Sequence, residues 1–258
     1  MPTSASPTRK MAALGAVIAL VVAVVALGIA VGKSVEGSRD AGGTGQPQAA
    51  SSAPAEVDAA QQKMFDDLAA QTSRREEGDP LAIGTKDAPV VLVEYADYQC
   101  SFCGRFTRET QPELVKKFVD AGTLRIEFRN FPLYGADSER AARASWAAGQ
   151  QGRFWQMHDE LYAETRKGDA LAEDKLVGLA RAGGVRDIEK FRTDMGSPAA
   201  ERALKKDQEE GYRLGVQSTP SFLVNGRPVA GAQPTEVFAQ AVRDAAATAK
   251  KRTAGVAK

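Results

Sequence analysis

The stretch VLVEYADYQCSFC, residues 91–103, places two cysteines directly after a run of apolar and β-branched residues. That run, PVVLVEYA at residues 89–96, is typical of a central strand that is buried on both faces. Apolar residues then recur at helical spacing, which predicts a helix that begins near Cys100. A second strand is predicted over TLRIEFRNFP, residues 123–132. The cysteine pair therefore lies at the strand-to-helix junction of a predicted β-α-β unit.

The rest of the chain predicts a helical block followed by a second small sheet unit. Residues 136–214 are helical in character and predict four or so helices, separated by glycine and proline. Strand patterns return in SFLVNGRPVAG, residues 221–231, where Asn225-Gly226 is typical of a two-residue hairpin turn. A final amphipathic helix follows. The order β-α-β, helical insertion, β-β-α predicts one α/β domain over about residues 80–250.

The N-terminal part of the chain has a different composition. Residues 11–32 form a run of 22 residues without a charge, which as a helix would reach roughly 33 Å. A hydrocarbon core is about 30 Å thick, and the apolar part of a cleaved signal peptide is usually only about 7–15 residues. We therefore expect a transmembrane anchor at 11–32, with cleavage as the alternative. Residues 1–10 are then a cytoplasmic tail, and residues 33–79 a linker with one short helix before an extracytoplasmic domain.

The composition of the chain removes several classes of function. Its 258 residues carry a formal net charge of +1, so nothing predicts a nucleic-acid surface. The chain has two cysteines and one histidine, His158, which we expect to be a packed helix residue rather than a ligand. A zinc site needs four ligands, and a disulfide between Cys100 and Cys103 would close only a tiny loop and stabilise little. A redox-active pair is the preferred interpretation, because C-x-x-C within a β-α-β pattern is its expected context.

The predicted position of the pair fits thiol chemistry. Unpaired backbone N–H groups and the macrodipole favour negative charge at a helix N-terminus, where Cys100 is expected. Cys103 follows one turn later on the same side of the helix, close enough to bridge. We therefore expect an exposed attacking sulfur on Cys100 and a shielded resolving sulfur on Cys103. A stabilised thiolate stabilises the reduced form, which makes the disulfide a stronger oxidant.

Four stretches together resemble the DsbA family of thioredoxin-fold thiol-disulfide oxidoreductases, most of all its membrane-tethered bacterial members. They are VLVEYADYQCSFC, FRNFPL, FWQMHDELY and GVQSTPSFLVNG, which span most of residues 80–245. The resemblance implies an α/β thioredoxin fold with a helical insertion between its β-α-β and β-β-α halves, preceded by one transmembrane helix. It also implies a redox-active Cys100–Cys103 disulfide, with no metal and no cofactor.

The resemblance further implies a supporting set of residues around the cysteines. Thr219-Pro220 matches the family's cis proline, with the preceding threonine facing the cysteines; a proline at a strand start is the alternative. Glu94 matches a partly buried acid below the active site, although a solvated carboxylate at a strand end is as good an interpretation. The Ser101-Phe102 pair departs from the histidine-containing dipeptide of the best-known oxidases. Phe102 is expected to form an apolar rim.

These expectations lead to one functional hypothesis and its rivals. The resemblance implies an extracytoplasmic enzyme that introduces disulfides into exported proteins. A membrane partner linked to quinone, of the DsbB or VKOR type, would reoxidise it. A reductase or isomerase that uses the same site is the first alternative. The second is a thioredoxin-fold module that binds unfolded clients and in which the cysteines are incidental.

Overall fold

The computed structural model describes residues 59–256 of the chain. The predicted tail at 1–10, the predicted anchor at 11–32 and the predicted linker up to residue 58 lie outside these described residues. Within residues 59–256, no helix combines the length and the apolar character that a membrane span requires. The anchor and the division of the chain at residue 80 therefore stay predictions.

Residues 59–256 form five strands and eight α-helices. The strands are β1 (Ala82–Ile83), β2 (Val90–Ala96), β3 (Leu124–Asn130), β4 (Ser221–Val224) and β5 (Arg227–Ala230). The first helices are α1 (Ala59–Thr72) and α2, which runs without a break through Ser101–Arg105, Phe106–Thr110, Gln111–Leu114 and Val115–Val119. The remaining helices are α3 (Ala136–Gly149), α4 (Phe154–Tyr162), α5 (Glu173–Ala182), α6 (Ile188–Met195), α7 (Pro198–Arg213) and α8 (Thr235–Val256).

The five strands make one mixed sheet in the order β1-β3-β2-β4-β5. Strands β2 and β3 are parallel, and the other neighbours are antiparallel. Every residue of β2 is buried, as its uninterrupted apolar run predicts. One face packs against α2 and α8 through Phe106 and Phe238, and the other packs against α1 through Leu68. The predicted β-α-β and β-β-α halves are both confirmed, and β1 is an edge strand too short to predict.

The helical insertion lies between β3 and β4, over the predicted range. It contains five α-helices, α3 to α7, together with a short 3₁₀ turn at Gly168–Leu171. The sequence predicts four or so helices because its pattern does not separate α3 from α4. In the structure they are separate, since Gly152 between them has φ 68°, a conformation that ends a right-handed helix. The insertion and the CxxC segment share one apolar cluster, which includes Cys103, Phe128 and Met157.

The predicted hairpin turn at Asn225-Gly226 joins β4 to β5. Both residues have positive φ, 44° and 76°, as this turn requires. The Asn225 side chain also accepts a hydrogen bond from the backbone N–H of Val91 at 2.8 Å. A Cβ at Gly226 would lie 1.9 Å from the carbonyl oxygen of Phe65 in α1. Helix α1 therefore packs so closely on the hairpin that only glycine fits there.

A buried cluster of charged residues, the β3 ion cluster, joins the segment after α1 to the sheet and to α7. Glu127 accepts the backbone N–H groups of Arg74 and Arg75 at 2.9 Å each, and Arg129 pairs with Glu127 and with Glu210 at 2.9 Å. The members of the cluster are Arg74, Arg125, Glu127, Arg129, Asp207 and Glu210. Each buried charge has a partner of opposite sign, which burial requires.

Candidate active site

Cys100 is the residue that precedes the first turn of α2. Its backbone is extended, with φ −79° and ψ 115°, and helical geometry starts at Ser101. Its Sγ lies 3.2 Å from the carbonyl oxygen of Thr219, and only 5% of the residue is exposed. The expectation of an openly exposed sulfur is therefore wrong, because Thr219 lies against it. Cys103 is fully buried one turn later, as expected, and both cysteines are free thiols.

The two sulfurs have opposite electrostatic environments. The pKa of Cys100 is lowered to about 6. A hydrogen bond from the Cys103 thiol is the largest cause, Thr219 and the backbone N–H groups of Cys103 and Phe102 act in the same direction, and burial opposes them. Burial raises the pKa of Cys103 well above its ordinary value, and its interactions with Cys100 act in the same direction. At neutral pH the pair therefore holds one thiolate, on Cys100, and one thiol, on Cys103.

The Thr219-Pro220 peptide bond is cis, as the resemblance implies. Strand β4 begins at the next residue and pairs with β2, with Ser221 opposite Tyr95. This register places the backbone of Thr219 beside Cys100 although 119 residues separate them in the chain. The Thr219 residue is itself buried, and its Oγ1 has no hydrogen-bond partner among the described residues.

Glu94 lies on β2 with its side chain completely buried. Neither carboxylate oxygen has a hydrogen-bond partner among the described residues. Burial, and after it the charge of Cys100, raises the pKa of Glu94 to about 8. The alternative of a solvated carboxylate at a strand end is therefore wrong. The carboxyl group is protonated at neutral pH and can supply or accept one proton beside the cysteines.

Ser101 and Phe102 occupy the exposed turn between the two sulfurs. Phe102 keeps 55% of its surface exposed, and the guanidinium of Arg105 lies 5.3 Å from its ring centroid. Arg105 is also held by a hydrogen bond of 2.6 Å to the carbonyl oxygen of Ala232. The expected apolar rim is thus present, with one cation against it. Neither residue of the dipeptide supplies the imidazole that the best-known oxidases carry there.

His158 packs in the interior, as its helical position predicts. Its ring is fully buried among aromatic rings, and its Nε2 lies 3.3 Å from Thr107 Oγ1. Burial lowers the pKa of His158 to about 3, so the ring is neutral. Within residues 59–256 no three or more histidine, cysteine and acidic side chains are grouped so as to hold a metal ion.

Comparison with known proteins matches this arrangement to one family. The model of the family described as thioredoxin matches residues 76–244, about two thirds of the chain. This chain belongs to the thioredoxin family. A probable disulfide bond formation protein D from Bacillus cereus is 33% identical over 150 residues, which are 56% of this chain and 69% of the relative.

Solved structures of other thioredoxin-fold proteins agree. A thioredoxin-like oxidoreductase from Silicibacter pomeroyi is 30% identical, covers 66% of this chain and 98% of its own, and superposes with a TM-score of 0.56. The α-DsbA1 of Wolbachia pipientis, 20% identical, covers 67% and 94% with a TM-score of 0.59, which shows the fold. This member of the thioredoxin family is a thiol-disulfide oxidoreductase. The resemblance to the DsbA family is confirmed for fold and enzyme class.

Sequence patterns missed one buried residue of this thioredoxin-family site, Asp97. Its carboxylate accepts hydrogen bonds from Gln99 N, Leu133 N, Tyr134 N and Ser138 Oγ at 2.7, 2.5, 3.1 and 2.7 Å. We call Asp97 and these four donors the Asp97 clamp. An aspartate three residues before the first cysteine is typical of a turn, so that local bond was predictable. Its other three donors lie more than 35 residues away and leave no local signal.

Proposed function

We propose that the chain is an extracytoplasmic oxidase that introduces disulfides into exported proteins through Cys100 and Cys103. The observation that carries this proposal is the contrast between the two sulfurs, one with a pKa of about 6 and the other with a pKa far above its usual value. At pH 7 a cysteine with a pKa of about 6 is mostly a thiolate. Compared with a cysteine of ordinary pKa, it stabilises the reduced enzyme by about 1.4 kcal/mol. That stabilisation makes the disulfide more oxidising by about 30 mV.

In the proposed reaction, a client thiolate attacks the sulfur of Cys100 in the oxidised enzyme. The bond between Cys100 and Cys103 breaks, and its electron pair goes to the sulfur of Cys103. This sulfur takes up a proton because its pKa is high, and the protonated carboxyl of Glu94 is its proposed source. The mixed disulfide then holds the client on the sulfur that lies beside Thr219.

A second client thiolate completes the proposed reaction by attacking the client sulfur of the mixed disulfide. Cys100 leaves as a thiolate, which its low pKa favours. Two client thiols become one disulfide and transfer two electrons to the enzyme. Of the two protons that the client thiols release, one replaces the proton that Glu94 gave to Cys103, and the other goes to solvent because Cys100 stays a thiolate at neutral pH. A membrane partner linked to quinone, of the DsbB or VKOR type, is the proposed oxidant that restores the enzyme, and the proposed reaction needs no cofactor.

The reduction potential tests the proposed direction. Equilibration of the full chain with mixtures of oxidised and reduced glutathione is expected to give a value above about −200 mV, towards the strongly oxidising members of the fold. A value near about −270 mV, which is typical of cytosolic thioredoxin, would contradict the oxidase and favour the reductase or isomerase.

Trapping of clients tests the proposed roles of the two sulfurs. Cys103→Ser is expected to accumulate mixed disulfides with exported proteins, because the Cys100 thiolate still attacks client disulfides and Cys103 is no longer present to release the client. Cys100→Ser is the matched control and is expected to accumulate none and to lose exchange activity. A client-binding module without redox function would behave in the same way in both variants.

The proposed location rests on residues 11–32, which carry no charge over a span-length run. We propose that they anchor the enzyme with residues 1–10 in the cytoplasm. Membranes washed with alkaline carbonate are expected to retain the full chain and to release a variant that lacks 11–32. Added protease is expected to digest the catalytic domain from the outer side. Release of the full chain by carbonate would contradict the anchor.

A further inference from the structure

Tyr134 has a fixed backbone and an exposed ring. The Asp97 carboxylate accepts its N–H, and Gln99 Nε2 donates to its carbonyl oxygen at 3.2 Å. Gln99 immediately precedes Cys100, whose own N–H is bonded to the Asp97 carbonyl at 3.0 Å. The same residues therefore position the nucleophile and the Tyr134 backbone, while 57% of Tyr134 remains exposed.

The sheet order determines which side of Cys100 this ring occupies. Strand β2, which leads to Cys100, lies between β3 and β4. Tyr134 follows β3, and Thr219 precedes β4, so the two residues flank the end of β2. Partial burial raises the pKa of Tyr134, and the charge of Cys100 raises it further, so the phenol lies within electrostatic reach of that sulfur. A client chain that runs from Thr219 across Cys100 consequently meets Tyr134.

We propose that Tyr134 is a specificity-determining residue, which packs against an aromatic or aliphatic client side chain next to the reacting cysteine. The inference rests on the oxidase function proposed above and names the class of client segment that the site selects. An aromatic ring offers a large contact area, and paired rings add a favourable term beyond area alone. Because the clamp already holds the backbone of Tyr134, little ordering entropy is lost when a client binds.

Tyr134 and Phe102 together give the site two exposed rings near one sulfur. Phe102 lies within the CxxC turn itself and carries the Arg105 guanidinium against its ring. Tyr134 belongs to a separate segment, so it contacts a different client position. A single exposed aromatic residue is ordinary on a protein surface. The clamp and the shared connection to Cys100 distinguish Tyr134 from Tyr212, which is equally exposed at 57% but packs against Phe131 in the region of α7.

The test is the oxidation of two dithiol peptides that differ only in the residue beside the first cysteine, phenylalanine or serine. Loss of free thiol gives kcat/KM for each peptide when oxidised glutathione restores the enzyme disulfide and the loss without enzyme is subtracted. The native chain is expected to prefer the phenylalanine peptide by about three- to tenfold. Tyr134→Ser is expected to reduce that preference to less than about twofold. Tyr134→Phe keeps the ring and is expected to retain the preference. Tyr212→Ser is the matched control and is expected to retain it as well.

The possible failures are distinguishable. If Tyr134→Ser leaves the preference unchanged, or lowers kcat/KM equally for both peptides, Tyr134 is not a specificity residue and the inference is overturned. Reduction of the enzyme disulfide by reduced dithiothreitol reports the chemistry at Cys100 without a client side chain. If Tyr134→Ser slows this reaction as much as it slows the phenylalanine peptide, the ring acts on the chemistry and the inference is overturned. A native chain that oxidises neither peptide would overturn the proposed function, and this inference with it.

Discussion

The buried carboxyl of Glu94 predicts that the protein becomes more stable when this residue is replaced by glutamine. Its pKa rises from 4.5 to about 8 on folding, mainly because burial disfavours the charged form. A carboxyl whose folded pKa is raised contributes its full stability below pH 4.5 and loses it as the pH rises towards 8. At pH 7 the accumulated loss is about 3 kcal/mol, and above pH 8 it approaches about 5 kcal/mol.

Glu94→Gln keeps the shape of the protonated group and removes the titration. The free energy of unfolding of the variant is expected to exceed that of the native chain by about 3 kcal/mol at pH 7, and to equal it near pH 4. Guanidinium unfolding of the reduced full chain, followed by circular dichroism between pH 4 and 9, measures this difference directly. The same pair of chains in a Cys100→Ser background removes the thiolate charge and leaves burial as the cause.

Two outcomes would refute the argument about Glu94. If both chains lose stability in parallel between pH 4.5 and 8, the carboxyl does not titrate across that range. If the gain disappears in the Cys100→Ser background, the thiolate charge raises the pKa of Glu94 and burial does not.

Three further predictions follow from other groups in the site and the core. Ultraviolet absorbance of the thiolate should titrate at about pH 6 for Cys100 alone, and iodoacetamide at pH 7 should label Cys100 and spare Cys103; equal labelling would contradict the assignment. Asp97→Ala should lower the free energy of unfolding by about 2–4 kcal/mol in chemical denaturation, because it leaves buried donors unpaired; a loss below about 0.5 kcal/mol would contradict the clamp. The native chain is expected to lose free energy of unfolding as the pH falls from about 6.5 to 3, because His158 is protonated in the unfolded state over that range and stays neutral in the folded state. His158→Gln should reduce this loss; acid melting curves that do not change would argue against a buried neutral ring.

Local patterns in the sequence were sufficient for the elements that present the cysteines. The run at 89–96 is buried along its whole β-strand, and the Asn225-Gly226 pair forms the predicted turn. Both features depend on residues next to one another in the chain, where periodicity and turn chemistry act. The position of Thr219 beside Cys100 came from a family resemblance, since the contact joins two distant segments.

The features that the sequence left open depend on packing between distant segments. Glu94 continues an apolar run, and its burial is decided by the elements that cover the end of β2. Strand β3 alternates Arg125, Glu127 and Arg129 with apolar residues, a pattern typical of one solvated face, yet all three are buried. Their partners come from the segment after α1 and from α7, which a strand pattern cannot reveal. The clamp around Asp97 is likewise invisible until β3 lies beside β2.

The β3 ion cluster has a practical consequence for where this protein can be cut. Arg74 lies before residue 80, yet its guanidinium pairs with Asp207 at 2.7 Å and its N–H with Glu127 at 2.9 Å. A fragment that started at residue 80 would leave the buried Asp207 without its salt bridge to Arg74, at a cost of about 3–5 kcal/mol, and would remove the backbone donor of Arg74 from Glu127. It would also uncover the side of Gly226 on which α1 packs. A shortened catalytic fragment therefore has to begin before Ala59. Any segment attached to the N-terminus of the fragment is then connected to the sheet through α1 and through Arg74, whose side chain is held inside the fold.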